Sequence, residues 1–229
     1  MIKGKKILWG LASLLALSCS APERNTEQLV EKPTISYEQR LRNATEISIR
    51  EAWASIGKRY DILIGDDKVA EVTGKSFNLW ADEFKLKTTD GTLIAYEKED
   101  KRILRLSRNA ACYDNKGNLK GYIGEEALKD FFSMSHIFHF YNANKTEIGK
   151  SKKMGNSAFF NLHDLYDSEG NVDYYTDKKF SLRDSYVLSV RDKNSSIPLE
   201  YAIFAVCIED AICDSKESES SSSSSKKDD

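Results

Sequence analysis

Four cysteines, three histidines and three prolines are all that 229 residues contain. The cysteines are too few and too scattered for a disulfide scaffold. Three histidines leave little material for an imidazole-rich metal centre. HIFH, which starts at His136 and ends at His139, would put two imidazoles on one face of a helix. HIFHFY reads as a strand, however, and side chains three apart on a strand face opposite ways. His163 stands apart from that pair. No G-x-S-x-G and no P-loop occurs, and no cysteine stands beside a convincing base. The expectation is therefore no cofactor and no metal. Charge of one sign is also scarce. The net charge is only −2, which gives no strong pull on nucleic acid or anionic membranes. The apolar run from Ile7 to Leu17 is too short to span a bilayer.

That run does carry a message. Lys3, Lys5 and Lys6 precede it and ALSC, Ala16 to Cys19, follows it. This is the layout of a secretory signal peptide over residues 1–18. Ser18 followed by Cys19 resembles a bacterial lipobox, in which Cys19 would receive lipid on its sulfur and on the new amine, palmitate included. Ordinary cleavage after A-L-S or C-S-A would instead give a soluble secreted protein. Loss of Met1 to Ser18 removes three lysines and no acid, so the charge falls from −2 to −5. Ser20, rather than Asp, comes next, which fits outer-membrane sorting in a host with two membranes. The expected place is the cell envelope, periplasmic or surface-facing.

Residues 19–35 read as the lipidated Cys19 and a polar tether. Residues 36–57 read as an amphipathic helix. Ser36 and Gln39 have capping-box spacing, Ile49, Trp53 and Ile56 fall at i, i+4 and i+7, and Gly57 is a stop. Residues 58–214 read as one β-rich domain. YDILI, KVAEV, EFKLK, TLIAYE, RILRLS, LKGYIG, HIFHFY, AFFNL, NVDYY and SYVLSV alternate or are rich in β-branched and aromatic residues. GDDK, TDG, DNKGN and DSEGN supply turns between them. Glu125 to Phe132 could form a short helix.

The pattern changes at Pro198. Glu200 suits a first helical turn, and Tyr201 to Ile208 is apolar without a break. A helix apolar on every face must be buried all round. Among strands, the place to bury it is inside a closed sheet. A barrel threaded by its own C-terminal helix, residues 198–213, is the result. Residues 215–229 are a Ser-rich tail that reads as disordered. Cys112, Cys207 and Cys213 could pair in an oxidising compartment, and the sequence leaves their redox state open. On one helix, though, Cys207 and Cys213 would lie roughly 9 Å apart, beyond disulfide reach.

One pattern occurs twice. Val69, Thr73, Lys75, Phe77 and Leu79 match Val172, Thr176, Lys178, Phe180 and Leu182; after a one-residue shift, Asp82, Phe84 and Leu86 match Asp184, Tyr186 and Leu188. The unit is two strands around an acidic corner, with Asp184 expected to cap its own turn. Two copies suggest a barrel of two related halves.

GKSFNL with Asp82, then TTDG, DSEGNV, DKKFSLRDSYVLSV and AIFAVCIEDAI resemble the bacterial members of the LURP-one-related family, in the tubby-like superfamily with the phospholipid scramblases. The resemblance covers about Tyr60 to Ile212. It implies a closed, antiparallel, 12-stranded barrel around a hydrophobic C-terminal helix. Tubby proteins bind phosphoinositide headgroups through basic surface residues, and scramblases are linked to calcium and lipid movement. No residue of those sites can be matched here, so none is carried over.

Asp164, Asp167, Glu169, Asn171 and Asp173 are an oxygen-rich cluster without EF-hand spacing, and read as a hairpin turn. GKSKK, Gly149 to Lys153, could touch a phosphate headgroup but reads first as a solvated strand end. The functional expectation is a membrane-anchored, non-enzymatic binding or scaffold module, monomeric, with a lipid or protein partner and no nucleic acid. An enzyme with a loop-built site and a surface protein-interaction module are the alternatives.

Overall fold

The structure, a computed structural model, describes residues 35–52, 57–74, 83–99, 109–125, 137–153, 163–179 and 184–224. Twelve antiparallel strands close into a barrel in the order β1-β12-β11-β10-β9-β8-β7-β6-β5-β4-β3-β2. They are β1 Glu46–Glu51, β2 Arg59–Ile64, β3 Asp67–Gly74, β4 Glu83–Thr88, β5 Leu93–Glu99 and β6 Asn109–Asp114, then β7 Leu119–Glu125, β8 Phe138–Asn142, β9 Glu147–Lys153, β10 His163–Asp167, β11 Val172–Lys179 and β12 Ser185–Val190. Two helices flank the series in sequence, α1 Tyr37–Asn43 and α2 Leu199–Ser224.

The inside is apolar and the outside charged. In β1, Ile47 and Ile49 are buried, while Glu46 and Arg50 are exposed. In β4, Phe84, Leu86 and Thr88 alternate with half-buried Glu83, Lys85 and Lys87. A transmembrane barrel shows the reverse, with apolar side chains outward. No described helix is long and apolar enough to cross a membrane.

Helix α2 fills the interior. Tyr201 to Cys207 are all buried, and Ile203, Phe204, Ala205 and Val206 are 0%, 0%, 4% and 7% exposed. Successive residues point about 100° apart around a helix, so these four cover the whole circumference. All-round burial was the expectation from the unbroken apolar run, and the fold meets it.

The close fit shows at two glycines. A Cβ on Gly121 in β7 would lie 2.0 Å from the Tyr141 carbonyl oxygen and 2.7 Å from the Tyr201 hydroxyl. One on Gly149 in β9 would lie 2.4 Å from the Tyr166 carbonyl oxygen and 2.6 Å from Ile197.

Several sequence expectations are corrected. The helix expected over 36–57 ends at Asn43, and its second part is β1. Ser36 does cap it, accepting from the Gln39 N–H at 3.2 Å. Ala44 then turns extended, and Thr45, Ile47 and Ile49 are β-branched residues that fit a strand. Ile49 therefore serves a period of two, and Trp53 and Ile56 lie outside the described residues. The barrel begins at Glu46, not at 58. The core helix does not stop at 213. It continues to Ser224 through most of the tail expected to be disordered, since no Gly or Pro interrupts residues 199–224. RILRLS, AFFNL, Phe77 and Phe180 lie outside the described residues, as does the proposed helix beyond Glu125.

The repeat is real as two hairpins but not as two halves. The copies are β3–β4 and β11–β12, eight strands apart in a ring of twelve, where a two-fold would need six. Their second arms correspond, since Phe84 and Leu86 match Tyr186 and Leu188 and all four are buried. Their first arms are slipped by one. Leu86 pairs with Val72, while Leu188 pairs with Thr176, so Thr176 is the counterpart of Val72 rather than of Thr73. A one-residue slip changes faces, and Thr176 is buried where Thr73 is not.

The two ends of the barrel differ. At the end where α2 enters, five hairpins have connections of two to four residues. Each carries a register shift next to its turn. Such bulges add the local bend that helps a sheet close. Gly65, Gly91, Gly117, Lys145 and Gly170 take positive φ, one in each of these turns. At the opposite end the connections run from five to twelve residues. Helix α1 sits at the entry end. Arg40 meets Asp67 at 2.9 Å, Arg42 meets Glu200 at 2.8 Å, and Leu41 joins the core.

Candidate functional site

The barrel interior is occupied by the buried side chains of α2. A cavity of about 10 Å³ lies between Phe138, Leu165, Thr176 and the Ala202–Glu209 side of α2. That volume holds about one water.

Chemistry-bearing side chains gather instead where α2 leaves the barrel. Asp210, fully buried, comes one helical turn after Val206. It accepts from the Tyr60 hydroxyl on β2 at 2.8 Å and from the Tyr186 hydroxyl on β12 at 2.7 Å. Lys58, just before β2, reaches Asp210 at 3.3 Å and Glu51 at 2.9 Å. Asp184, just before β12, meets Lys178 of β11 at 2.6 Å. Its carbonyl accepts from the Glu51 N–H at 3.0 Å. Asp184 therefore pairs across its hairpin and does not cap its own turn.

Glu51, Asp184 and Asp210 bring carboxylate oxygens within 4.8 Å of one another. They are the residues that could hold a metal among those described. A calcium ion takes six to eight oxygens. Here Lys58 and Lys178 already supply two positive charges, and Tyr60, Tyr186 and Lys58 already donate to Asp210. The arrangement is a polar clamp. It ties the turn of α2 around Asp210 to β2 and β12, and holds β1 against β12. Reading along the chain missed it, because residues 51, 184 and 210 meet only through the closure of the barrel. The available signals were Asp184 interrupting an apolar face and Asp210 ending an apolar run.

Burial, and then the charge of Asp210, hold the Tyr60 phenol well above its usual value. Burial also raises Tyr174, whose hydroxyl donates to the Ile197 carbonyl at 2.8 Å, to about 12. A phenol raised in the fold contributes its full stability below its unfolded pKa and loses it as pH climbs through the folded value. Stability is expected to hold to about pH 9 and to fall from about pH 10 upward. Urea melts at about pH 9 and about pH 11 check this, and equal midpoints would contradict it.

The other candidates separate. His139 lies in β8 and meets Glu147 at 3.2 Å, His136 is outside the described residues, and the His163 side chain is not among those described. Asp167 serves its turn, accepting from the N–H groups of Glu169 and Asn171. Asp164 and Asp173 are buried on the flanking strands, away from the turn. Lys150 and Lys152 of GKSKK are exposed, and the segment forms the C-terminal end of β9, as the reading of a solvated strand end expected. Cys112 and Cys207 are buried free thiols, both raised chiefly by burial, and the Cys213 side chain is not among those described. Cys19 lies outside the described residues.

Neither a family model nor a curated protein matches the sequence. An X-ray structure of a protein from Arabidopsis thaliana is similar to this chain, with 13% identity and a TM-score of 0.46 over 73% of this chain and 91% of that one.

Proposed function

We propose that the chain is a lipid-anchored protein of the bacterial cell envelope, acting as a non-enzymatic binding or scaffold module. The observation that carries this reading is the filled barrel. Helix α2 takes the space in which a ligand-binding barrel would hold its ligand. The chemistry left to the molecule is on its outside. The ALSC run supplies the anchor in this reading, through acylated Cys19. The likeness of GKSFNL and AIFAVCIEDAI to bacterial LURP-one-related proteins supports a lipid-related role as its narrower form, because that resemblance implied the same barrel and core helix.

Cys19→Ala is expected to move the protein from the detergent-soluble membrane fraction to the soluble fraction. Mass spectrometry of the N-terminal peptide should show acyl chains on Cys19 in the wild type. Unchanged fractionation with no acyl mass would remove the anchor from the account.

A further inference from the structure

Positive charge is unevenly placed on the barrel wall. On the β2–β3 side, Arg59 meets Glu71 at 3.0 Å, and Lys68 meets Asp61 at 2.6 Å and Glu71 at 3.0 Å. The face formed by β5–β9 and the two turns within it is different. It carries Lys98, Lys116, Lys120, Lys145, Lys150 and Lys152, all exposed. The outward carboxylates described there are Asp114 and Glu147. Lys120 approaches Asp114 only to 3.5 Å, and Glu147 takes His139. Among the described residues the ammonium groups of Lys98, Lys116, Lys150 and Lys152 form no ion pair, although Glu83 stands opposite Lys98 and Asp164 opposite Lys152 on the bordering strands. A chain of net charge −2 thus keeps one face with an excess of positive charge.

Tyrosines cross the same face. Tyr96 and Tyr113 sit opposite each other on β5 and β6, and Tyr122 and Tyr141 on β7 and β8. One face of each ring has a neighbour within the protein. Tyr96 and Tyr113 stack at 4.9 Å and 14°, Lys145 lies 5.9 Å above the Tyr122 ring, and His139 stacks on Tyr141 at 6.3 Å. The hydroxyls of Tyr96, Tyr113 and Tyr122 have no hydrogen-bond partner. The face therefore presents ammonium groups and phenol hydroxyls.

We propose that the outer face of β5–β9 docks an acidic polysaccharide. Carboxylates of such a chain would meet the unpaired lysines, and its hydroxyls would exchange hydrogen bonds with the phenols. Two other polyanions fit less well. Single-stranded nucleic acid is held by bases stacked on free aromatic faces, and here the Tyr96–Tyr113 stack and the Lys145 and His139 contacts cover one face of each ring. A membrane surface favours apolar side chains that enter the acyl boundary. The one large apolar side chain exposed among the described residues is Ile35, which precedes α1. The proposal rests on the binding-module reading and names its partner class.

The test uses the purified full chain on immobilised alginate, a carboxylated polysaccharide, with neutral dextran, oligo(dT) and phosphatidylglycerol vesicles as comparisons. The chain should bind alginate and not dextran, and binding should weaken with salt. Lys98→Gln/Lys120→Gln/Lys150→Gln should weaken it about tenfold or more, given the dominance of charge at such a face. Tyr96→Phe/Tyr122→Phe, which removes only hydroxyls, should also weaken it, with an unchanged melting temperature in both variants. Failure to bind alginate, variants that bind like the wild type, or tighter binding of oligo(dT) or vesicles would each overturn the proposal. The anchor is read separately by fractionation, so either reading can fail without the other.

Discussion

Ala205→Asp yields a chain with no cooperative melting transition. Ala205 is 4% exposed and sits in the middle of α2, between Phe204 and Val206. A carboxylate there would find no cation, and it would share a small cavity with the Glu209 carboxylate and the single hydroxyl of Thr176. An unpaired buried charge costs more than the roughly 5–15 kcal/mol that holds an ordinary domain together. On a surface helix, one face would tolerate such a change. Here every face is enclosed, so Ala205→Asp should be as damaging as Phe204→Asp. Phe204→Ala, which only opens a cavity, should cost about 3–5 kcal/mol and leave a folded protein. Circular dichroism melts of the three variants measure this. A cooperative Ala205→Asp variant would show that one side of α2 is open.

Asp210→Ala costs about 3–5 kcal/mol, the range for breaking a buried ionic pair from one side. The substitution removes the acceptor shared by the Tyr60 and Tyr186 hydroxyls, leaving Tyr60 the Cys207 carbonyl at 3.2 Å, and takes one carboxylate away from Lys58. At about 2–4 °C per kcal/mol for a domain of this size, the melting temperature should drop by on the order of 10 °C. Tyr60→Phe and Tyr186→Phe each remove one donor and should cost less. Their effects should shrink in the Asp210→Ala background, because the shared acceptor is already gone and Tyr60 keeps the Cys207 carbonyl. Full additivity would show that the two phenols act independently of Asp210. If millimolar calcium raised the wild-type melting temperature but not that of Asp210→Ala, the clamp would be a cation site instead.

The core helix was legible because it broke the local rules. An apolar run with no polar side has one solution among strands, and Tyr201 to Cys207 adopt it. Most hairpins were legible through their turns, since Asp114 and Asp167 use the same side-chain chemistry in DNKGN and DSEGN. The misses have physical causes. Ile49 satisfies a helical spacing with Trp53 and Ile56 and a strand spacing with Ile47, and sequence alone did not choose between them. β6 and β9 were weak signals because their inward residues are small. Ala110, Gly149 and Ser151 face the crowded interior, where a larger side chain would be excluded. The first arm of the repeat misled because a likeness of residue types carries no register. Val72 and Thr176 correspond in space but not in letters. The clamp was illegible for a different reason, since its members come from four strands or their flanks and from the helix.

Native-state hydrogen exchange on α2 tests the central claim most directly, because amides enclosed by a closed barrel can exchange only when the barrel opens. The amides of Phe204 to Cys207 should be among the slowest in the protein, with an opening free energy equal to that of global unfolding and the same sensitivity to urea. Exchange of those amides at a free energy well below the global value, or with no urea dependence, would mean that the helix leaves the barrel without unfolding it, and the filled barrel would no longer stand.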